Sequence, residues 1–261
     1  EVEVDAGRGL PGVEMVGLLN SEVREARERV RVALKNSEFQ IPPQRITVNI
    51  SPADIRKEGS AYDLPIALGI LIAMEQIKEG VLKDTLVIGE LGLDGEVKSV
   101  KGILPIMMMA KENGIKRCIL PKENALEGAV IQGIKIVGVS SLTETVGYLM
   151  MEENRADEFV PPTIWDPGSL FQEAKNEKMP DFSDIRGQEM VKRAAVIGAA
   201  GFHHILITGI PGAGKTMIAK RIPSIMPPLS MEESLEVSKI YSVSGLLEKG
   251  KPLITVRPFL H

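Results

Sequence analysis

The sequence predicts an α/β protein with more than one domain, and three observations support this. Apolar residues recur with helical spacing in some segments and alternate with polar residues in others. The chain has 261 residues, which at roughly 150 residues per domain suggests about two domains. Hydrophobic residues make up 44% and charged residues 25% of the chain, the ordinary balance of a globular protein, so wholesale disorder and collagen-like repetition are excluded.

Residues 1–151 predict a first domain of α/β or α+β type, because strands and helices mix there without strict alternation. Val2 and Val4 alternate with acidic residues, as in a half-buried strand. From Ser21 onward the apolar residues have helical spacing, which predicts an amphipathic helix whose core side is Val23, Ala26, Val30, Ala33 and Leu34. The other predicted strands are 13–18, 46–50, 86–91 (leading into a hairpin at Asp94-Gly95), 118–120 and 134–139, and the other helices are 64–74, 103–113, 125–131 and 142–151.

A polar stretch, residues 152–180, predicts a linker with one helical turn near 170–175, because it is rich in proline and charge. The second region, residues 181–261, continues with a predicted helix over 188–200, a strand over 204–208, a glycine loop, and a helix from Lys215.

The glycine loop carries the strongest chemical signal, because it satisfies the pattern G-x-x-x-x-G-K-[ST] between a predicted strand and a predicted helix. Backbone N–H groups in such a loop receive phosphate oxygens, and glycines permit the close approach and the positive φ angles. Lys215 is expected to reach the β- and γ-phosphates, and the Thr216 hydroxyl to ligate Mg²⁺, so ATP and Mg²⁺ are the predicted cofactors. The predicted phosphate-binding residues are Gly209, Ile210, Pro211, Gly212, Ala213, Gly214, Lys215 and Thr216.

No apolar strand ending in Asp-Asp or Asp-Glu follows Thr216, although such an acid usually holds Mg²⁺ in these ATPases. The chain ends at His261, sooner than a P-loop ATPase core would. We therefore expect residues 181–261 to be the first part of the ATPase domain, and we leave open whether this chain alone hydrolyses ATP.

The remaining composition favours a cytoplasmic protein. The longest apolar run, Leu64–Met74, stops at Glu75 and is too short for a membrane helix, so no membrane partner is expected. The single cysteine, Cys118, fits a reducing compartment. The net charge is −4, with −7 before residue 181 and +3 from it onward, so the C-terminal region is the one expected to approach phosphates. The chain lacks an initiator Met, so we expect further N-terminal sequence.

These residues resemble a known family. Asp181–Glu189 followed by the glycine loop resembles the start of an AAA+ ATPase module, and the resemblance implies that the segment from Ile185 to Gly187 packs around adenine. Over essentially the whole chain, the sequence resembles the competence protein ComM (YifB) family of magnesium-chelatase-like AAA+ proteins, which carry a Lon-protease-like domain before the ATPase. The segments that carry this resemblance are Gly9–Gly12, Glu25–Val30, Tyr62–Ala67 and Arg257–Phe259.

The resemblance also implies a function for the full-length protein. Members of this family are expected to form a hexameric ATPase that acts on DNA as a helicase, linked to branch migration during natural transformation. Residues 1–151 would then be the Lon-protease-like α+β domain, and DNA and further copies of the chain would be its partners.

An alternative hypothesis is an active Lon-like peptidase, in which a neutral lysine activates a serine. Alignment by Asp63–Ala67 places the nucleophile at Ala61, and alignment by Gly102 places the base at Leu104. Ser60 is one residue away from Ala61. At the start of a helix, a shift of one residue turns the side chain by about 100°, so Ser60 would not point where the nucleophile should. We therefore expect a peptidase-like fold without its catalytic pair.

A third possibility is the motor subunit of a magnesium chelatase, which inserts metal into a porphyrin. It shares the ATPase module but would not be expected to carry this N-terminal domain.

Overall fold

The computed structural model describes residues 1–166 and 180–259. The helical turn expected near residues 170–175 lies outside the described residues. Within the described part, no helix has both the length and the apolar character needed to span a bilayer. The chain forms two compact units, a first unit of Glu1–Trp165 with Lys239–Pro252, and a second unit of Asp166–Ser238 with Leu253–His261.

The first unit mixes strands and helices, as the sequence predicts. Its elements are β1 (Val2–Gly7), β2 (Gly12–Val16), α1 (Ser21–Asn36), β3 (Arg45–Ile50), α2 (Asp63–Ala73), β4 (Thr85–Val87), β5 (Glu90–Leu91), β6 (Val97–Lys98), α3 (Ile103–Glu112), β7 (Arg117–Pro121), α4 (Ala125–Ala129), β8 (Lys135–Val139), α5 (Leu142–Met150) and α6 (Glu153–Phe159).

The strands of the first unit form two small sheets and a hairpin. The first sheet has the order β1-β3-β2, with β1 antiparallel and β2 parallel to β3. The second sheet has the order β4-β7-β8 and is parallel throughout. Alternate residues of β3, namely Ile46, Val48 and Ile50, are buried, which confirms the predicted alternation.

Two helices provide most of the core beside the first sheet. The five residues that the sequence places on the core side of α1 are all buried. Asn20 begins this helix, because its side-chain oxygen accepts a hydrogen bond from the N–H of Val23 at 3.0 Å. Helix α2 is apolar on nearly every side and buried, as the sequence predicts.

One ion pair lies inside this core. Asp63, at the first position of α2, is fully buried, and its carboxylate accepts hydrogen bonds from Nε of Arg29 at 2.7 Å and from Nη2 at 3.0 Å. The backbone N–H of Leu91 donates to the same carboxylate at 3.2 Å. These contacts tie α1, α2 and β5 together.

Two predicted segments of the first unit differ from the structure. The predicted strand 86–91 is split, because residues 86–87 pair with β7 while residues 90–91 pair with β6 in a different sheet. The expected linker begins with helix α6, whose Ala156 is buried, and Val160 just after it is buried as well. These two apolar side chains belong to the same core as Val146 and Leu149 of α5. The overall polarity of the segment does not reveal them.

The second unit contains the glycine loop and a small core. Among its described residues, the α-helices are α7 (Glu189–Ala200), α8 (Lys215–Ala219) and α9 (Met231–Ser244), the last of which is grouped with the first unit from Lys239 onward. The buried members of its core are Phe182, Ile185, Ala195 and Ile218.

The predicted strand over residues 204–208 is wrong for the described structure. These residues have no regular secondary structure, and the side chain of Leu206 is 88% exposed. A strand needs a neighbour for its backbone N–H and C=O groups, and no described residue forms a ladder with this segment.

We expect Arg29→Ala to lower the free energy of unfolding of the first unit by about 3 kcal/mol, because it leaves the Asp63 carboxylate buried without its cation. Burial already raises the pKa of Asp63, and loss of the guanidinium raises it further. When the pKa of a carboxyl group is higher in the folded than in the unfolded protein, the folded state is destabilised as the pH rises and the group must ionise. The loss should therefore be larger at about pH 8 than at about pH 5.

Urea unfolding followed by the fluorescence of Trp165, the single tryptophan and a residue of the first unit, measures this effect. Arg31→Ala is the matched control, because Arg31 lies on the same helix and pairs with Glu28 while both side chains are more than half exposed. Its loss should stay below about 1 kcal/mol. Equal losses in the two variants would contradict a structural role for the buried pair.

Candidate functional site

The glycine loop of the second unit forms a turn that leads directly into α8. Gly212 and Gly214 have φ angles of +82° and +80°, in the left-handed region that side chains rarely adopt. No atom lies within 4 Å of the position that a Cβ of Gly212 would occupy. The requirement for glycine there is therefore conformational, and the space beside the loop is open.

Lys215 folds back over this loop. Its ammonium group donates hydrogen bonds to the carbonyl oxygens of Gly209 and Ile210, both at 2.9 Å. The cation is thereby held against the loop backbone, with only carbonyl oxygens as partners there. Because a phosphate oxygen is a stronger acceptor than a carbonyl oxygen, these contacts can be exchanged for an anion.

Thr216 is exposed in the first turn of α8, so its hydroxyl group is accessible. No cluster of three or more His, Cys, Asp or Glu side chains within residues 1–166 and 180–259 is arranged to hold a metal ion. The loop thus suits a polyphosphate through its glycines and Lys215, and for Mg²⁺ it offers a single hydroxyl ligand.

The segment expected to contact adenine packs next to the helix that follows the loop. The side chain of Ile185 is buried in the core that also contains Ile218 of α8. Gly187 and Gln188 have φ angles of +67° and +59°, which turn the chain sharply into α7. Since the Ile185 side chain is buried, the residues of this segment accessible to a base are Arg186 and Gly187, both of which are exposed.

Arg221 holds this segment in place, a role that its position in the sequence does not indicate. Its guanidinium donates to the carbonyl oxygen of Asp181 at 3.1 Å and lies 3.3 Å from the carboxylate of Asp184. Ser224, three residues later, accepts a hydrogen bond from the N–H of Phe182 at 3.1 Å. In the sequence Arg221 is only an arginine just after a short helix. Such arginines are too common to predict this contact.

In the first unit, the position predicted for a peptidase nucleophile is Ala61, which has no reactive group. Its carbonyl oxygen accepts a hydrogen bond from the N–H of Gly89 at 3.1 Å, so the residue has a structural contact. The hydroxyl group of the neighbouring Ser60 donates to the carboxylate of Glu90. Lys57 is buried, and its ammonium donates to the carbonyl oxygen of Pro52 rather than to a hydroxyl.

Leu104, at the position predicted for the lysine base, is completely buried in the first turn of α3. An apolar side chain there can neither accept nor donate a proton. Lys101, the nearest alternative, is exposed. The geometry thus brings the hydroxyl of Ser60 to the carboxylate of Glu90, and among the described residues no lysine forms a hydrogen bond with it.

Comparison with known proteins identifies two family matches. Residues 2–124 match the family described as subunit ChlI of Mg-chelatase, and residues 181–261 match the family described as magnesium chelatase, subunit ChlI. The two matches cover most of the first unit and the phosphate-loop region.

Several curated relatives align along nearly the whole chain. An uncharacterized protein of Mycobacterium tuberculosis strain H37Rv is 39% identical over 100% of the chain and 50% of its own length. The competence protein ComM of Haemophilus influenzae is 37% identical and YifB of Escherichia coli is 40% identical, each over 93% of the chain and 46% of its own length. The chain therefore spans about half the length of the curated relatives that it matches.

A more distant relative supports the peptidase-like fold. Lon protease 2 of Bacillus subtilis is 26% identical over 61% of the chain and 28% of its own length. The mixed α/β structure, with its parallel sheet, agrees with this similarity.

We expect the chain to be unreactive toward a fluorophosphonate probe for activated serines, because Ser60 has no neutral lysine to remove its proton. Ser60→Ala should leave the level of labelling unchanged. Labelling is measured by intact-mass spectrometry after incubation with the probe. Stoichiometric labelling at Ser60 that disappears in the alanine variant would contradict this expectation and restore the peptidase function.

Proposed function

The chain belongs to the ComM and YifB family of magnesium-chelatase-like AAA+ proteins, and from this premise we propose that it forms the ATP-binding part of a motor that acts on DNA. The observation that carries the proposal is the position of the Lys215 ammonium over a loop in which two of the three glycines, Gly212 and Gly214, have left-handed φ angles. That arrangement provides a cation and accessible backbone for a chain of phosphates.

Each residue of the loop would have a distinct role toward the nucleotide. The backbone of Gly209–Gly214 would surround the phosphates, and Lys215 would exchange its two carbonyl partners for phosphate oxygens. The Thr216 hydroxyl would ligate Mg²⁺, whose charge offsets that of the phosphates. The backbone at Ile185 to Gly187 would lie against the adenine.

We further propose that the full-length protein hydrolyses ATP as a hexameric ring in the cytoplasm and uses the energy to unwind or branch-migrate DNA in natural transformation. The similarity to the competence protein ComM supports this proposal. The +3 charge from residue 181 onward also supports it, because phosphate contacts require cations. The −7 balance before residue 181 argues against DNA contact by the N-terminal region.

A second candidate is the motor subunit of a magnesium chelatase. Both matched families are described by the ChlI subunit, and one of them extends over the N-terminal region. The expectation that chelatase subunits lack this N-terminal region is therefore a weak argument against this candidate.

Three assays on the full-length protein distinguish the candidates. A DNA motor should show ATP hydrolysis that is stimulated by branched or forked DNA and should displace a labelled strand. A chelatase subunit should instead support magnesium insertion into a porphyrin when its partner subunits are added. Casein degradation would indicate the Lon-like peptidase, which the residues at positions 61 and 104 disfavour.

For the 261-residue chain we expect weak ATP binding and negligible hydrolysis, because the loop has Lys215 and Thr216 but residues 217–259 provide no acid at the end of an apolar strand. Lys215→Ala should weaken binding by about tenfold or more, since hydrogen bonds between charged groups are the strong ones. Isothermal titration with ATP and Mg²⁺, together with a phosphate-release assay, measures both quantities.

Lys220→Ala is the matched control, because Lys220 is an exposed lysine immediately after α8 and should leave binding unchanged. Equal binding by the parent and by Lys215→Ala would contradict the assignment of the phosphate site. Turnover close to that of a complete AAA+ ring would contradict the expected lack of hydrolysis.

A further inference from the structure

Residues 239–252 belong to the first unit although they follow the phosphate-loop helices in the sequence. They comprise the end of α9 and the loop after it. The carbonyl oxygen of Ser242 accepts a hydrogen bond from the N–H of Gly102 at 3.0 Å, directly before α3. The segment therefore packs where α3 begins, which is also where the family resemblance would place a peptidase base.

Three groups meet at this point. The hydroxyl of Ser242, a residue only 3% exposed, donates to Oε1 of Glu127 at 2.5 Å. The N–H of Leu104 points at both acceptors, 3.1 Å from Oε1 of Glu127 and 3.3 Å from Oγ of Ser242. The other carboxylate oxygen of Glu127 accepts from the side-chain amide of Asn124 at 3.3 Å.

A second contact lies at the rim. The ammonium of Lys249 is 2.9 Å from the carboxylate of Glu123, and this cation lowers the pKa of Glu123 below its usual range. Both side chains are exposed, so this pair adds little energy by itself and marks where the loop passes next to Glu123.

We propose that Gly102, Leu104 and Glu127 form a socket whose occupant is the segment of residues 239–252 of the same chain. The first unit would then anchor this segment instead of cleaving peptides. This inference goes beyond the proposed function and does not depend on it, because no step of it requires ATP.

The chemistry of the socket matches this occupant. The segment supplies an acceptor for the N–H of Gly102, a second acceptor for the N–H of Leu104, and a donor for Glu127. If the segment left, the N–H of Gly102 would lose this partner and Glu127 would lose a donor, so the docked state is favoured. While it is docked, the segment covers the start of α3 and blocks access by another polypeptide.

The test uses the 261-residue chain carrying Glu123→Cys and Lys249→Cys, which replaces the exposed ion pair by two exposed thiols. Cys118 is the only natural cysteine, and burial raises the pKa of its thiol to about 12, so it should react little with maleimides. A short bismaleimide should join the two introduced cysteines within one chain, as shown by the mass of the product and by peptide mapping.

Ser242→Asp is then added to break the socket, because its carboxylate would face that of Glu127 in a largely buried position. Ser244→Asp is the matched control, since it adds the same charge to the same helix at an exposed position. We expect Ser242→Asp to lower the yield of the intramolecular cross-link about tenfold, since a hydrogen bond to a charged group contributes at least that factor to an equilibrium. Ser244→Asp should leave the yield unchanged.

Circular dichroism and Trp165 fluorescence of the Ser242→Asp chain should match those of the parent, because Ser242 lies on the docked segment. Loss of the cross-link with native spectra supports the socket. An unchanged yield in Ser242→Asp overturns it, as does an equal loss in Ser244→Asp, and a cross-link found only between two chains overturns an occupant from the same chain. Failure of ATP to bind in any of these proteins would count against the proposed function and leave the socket unaffected.

Discussion

The first unit depends on one buried charge. Asp63 can remain inside an apolar core only because Arg29 and the N–H of Leu91 both donate to its carboxylate. That requirement sets the distance between α1 and α2 and places β5 beside them. The same cluster extends to Ser60, whose hydroxyl donates to Glu90, the residue next to Leu91. The region where a peptidase would hold a reactive serine is therefore organised by carboxylates, which leaves Ser60 as a hydrogen-bond donor.

The second unit depends on a conformational constraint in its glycine loop. The left-handed angles of Gly212 and Gly214 direct the chain into α8 and bring the Lys215 side chain back over the carbonyl oxygens of Gly209 and Ile210. Arg221, two residues after α8, donates to the carbonyl oxygen of Met217 in that helix and also contacts Asp181 and Asp184, so it connects the two parts expected to contact one nucleotide. A local backbone requirement thus determines the position of the only cation that the loop contains.

The spacing of apolar residues correctly predicted the elements that are buried on one side. The five core residues of α1 and the alternation along β3 were predicted correctly, because burial on one side leaves a direct trace in the sequence. The split of residues 86–91 and the missing strand at 204–208 were not predicted, since both depend on which distant segment pairs with the backbone. For the same reason the pattern of Gly209–Thr216 located the candidate loop, whereas the contacts of Arg221 and of Ser242 with Glu127 required the structure. The roles assigned to the loop residues stay predictions.

The starts of α3 and α8 show why the two units differ in chemistry. At α3 the N–H of Leu104 already has Glu127 and Ser242 as acceptors, both from elsewhere in the chain. At α8 no side chain caps the first turn, and the preceding loop is exposed. Where acceptors of the protein itself already bind the N–H groups of a first helical turn, that turn has a structural role. Where no side chain caps those N–H groups and a lysine lies beside them, they can still bind an external anion. The two side chains agree with this difference: Leu104 is apolar and buried at the start of α3, whereas Thr216 is polar and exposed at the start of α8.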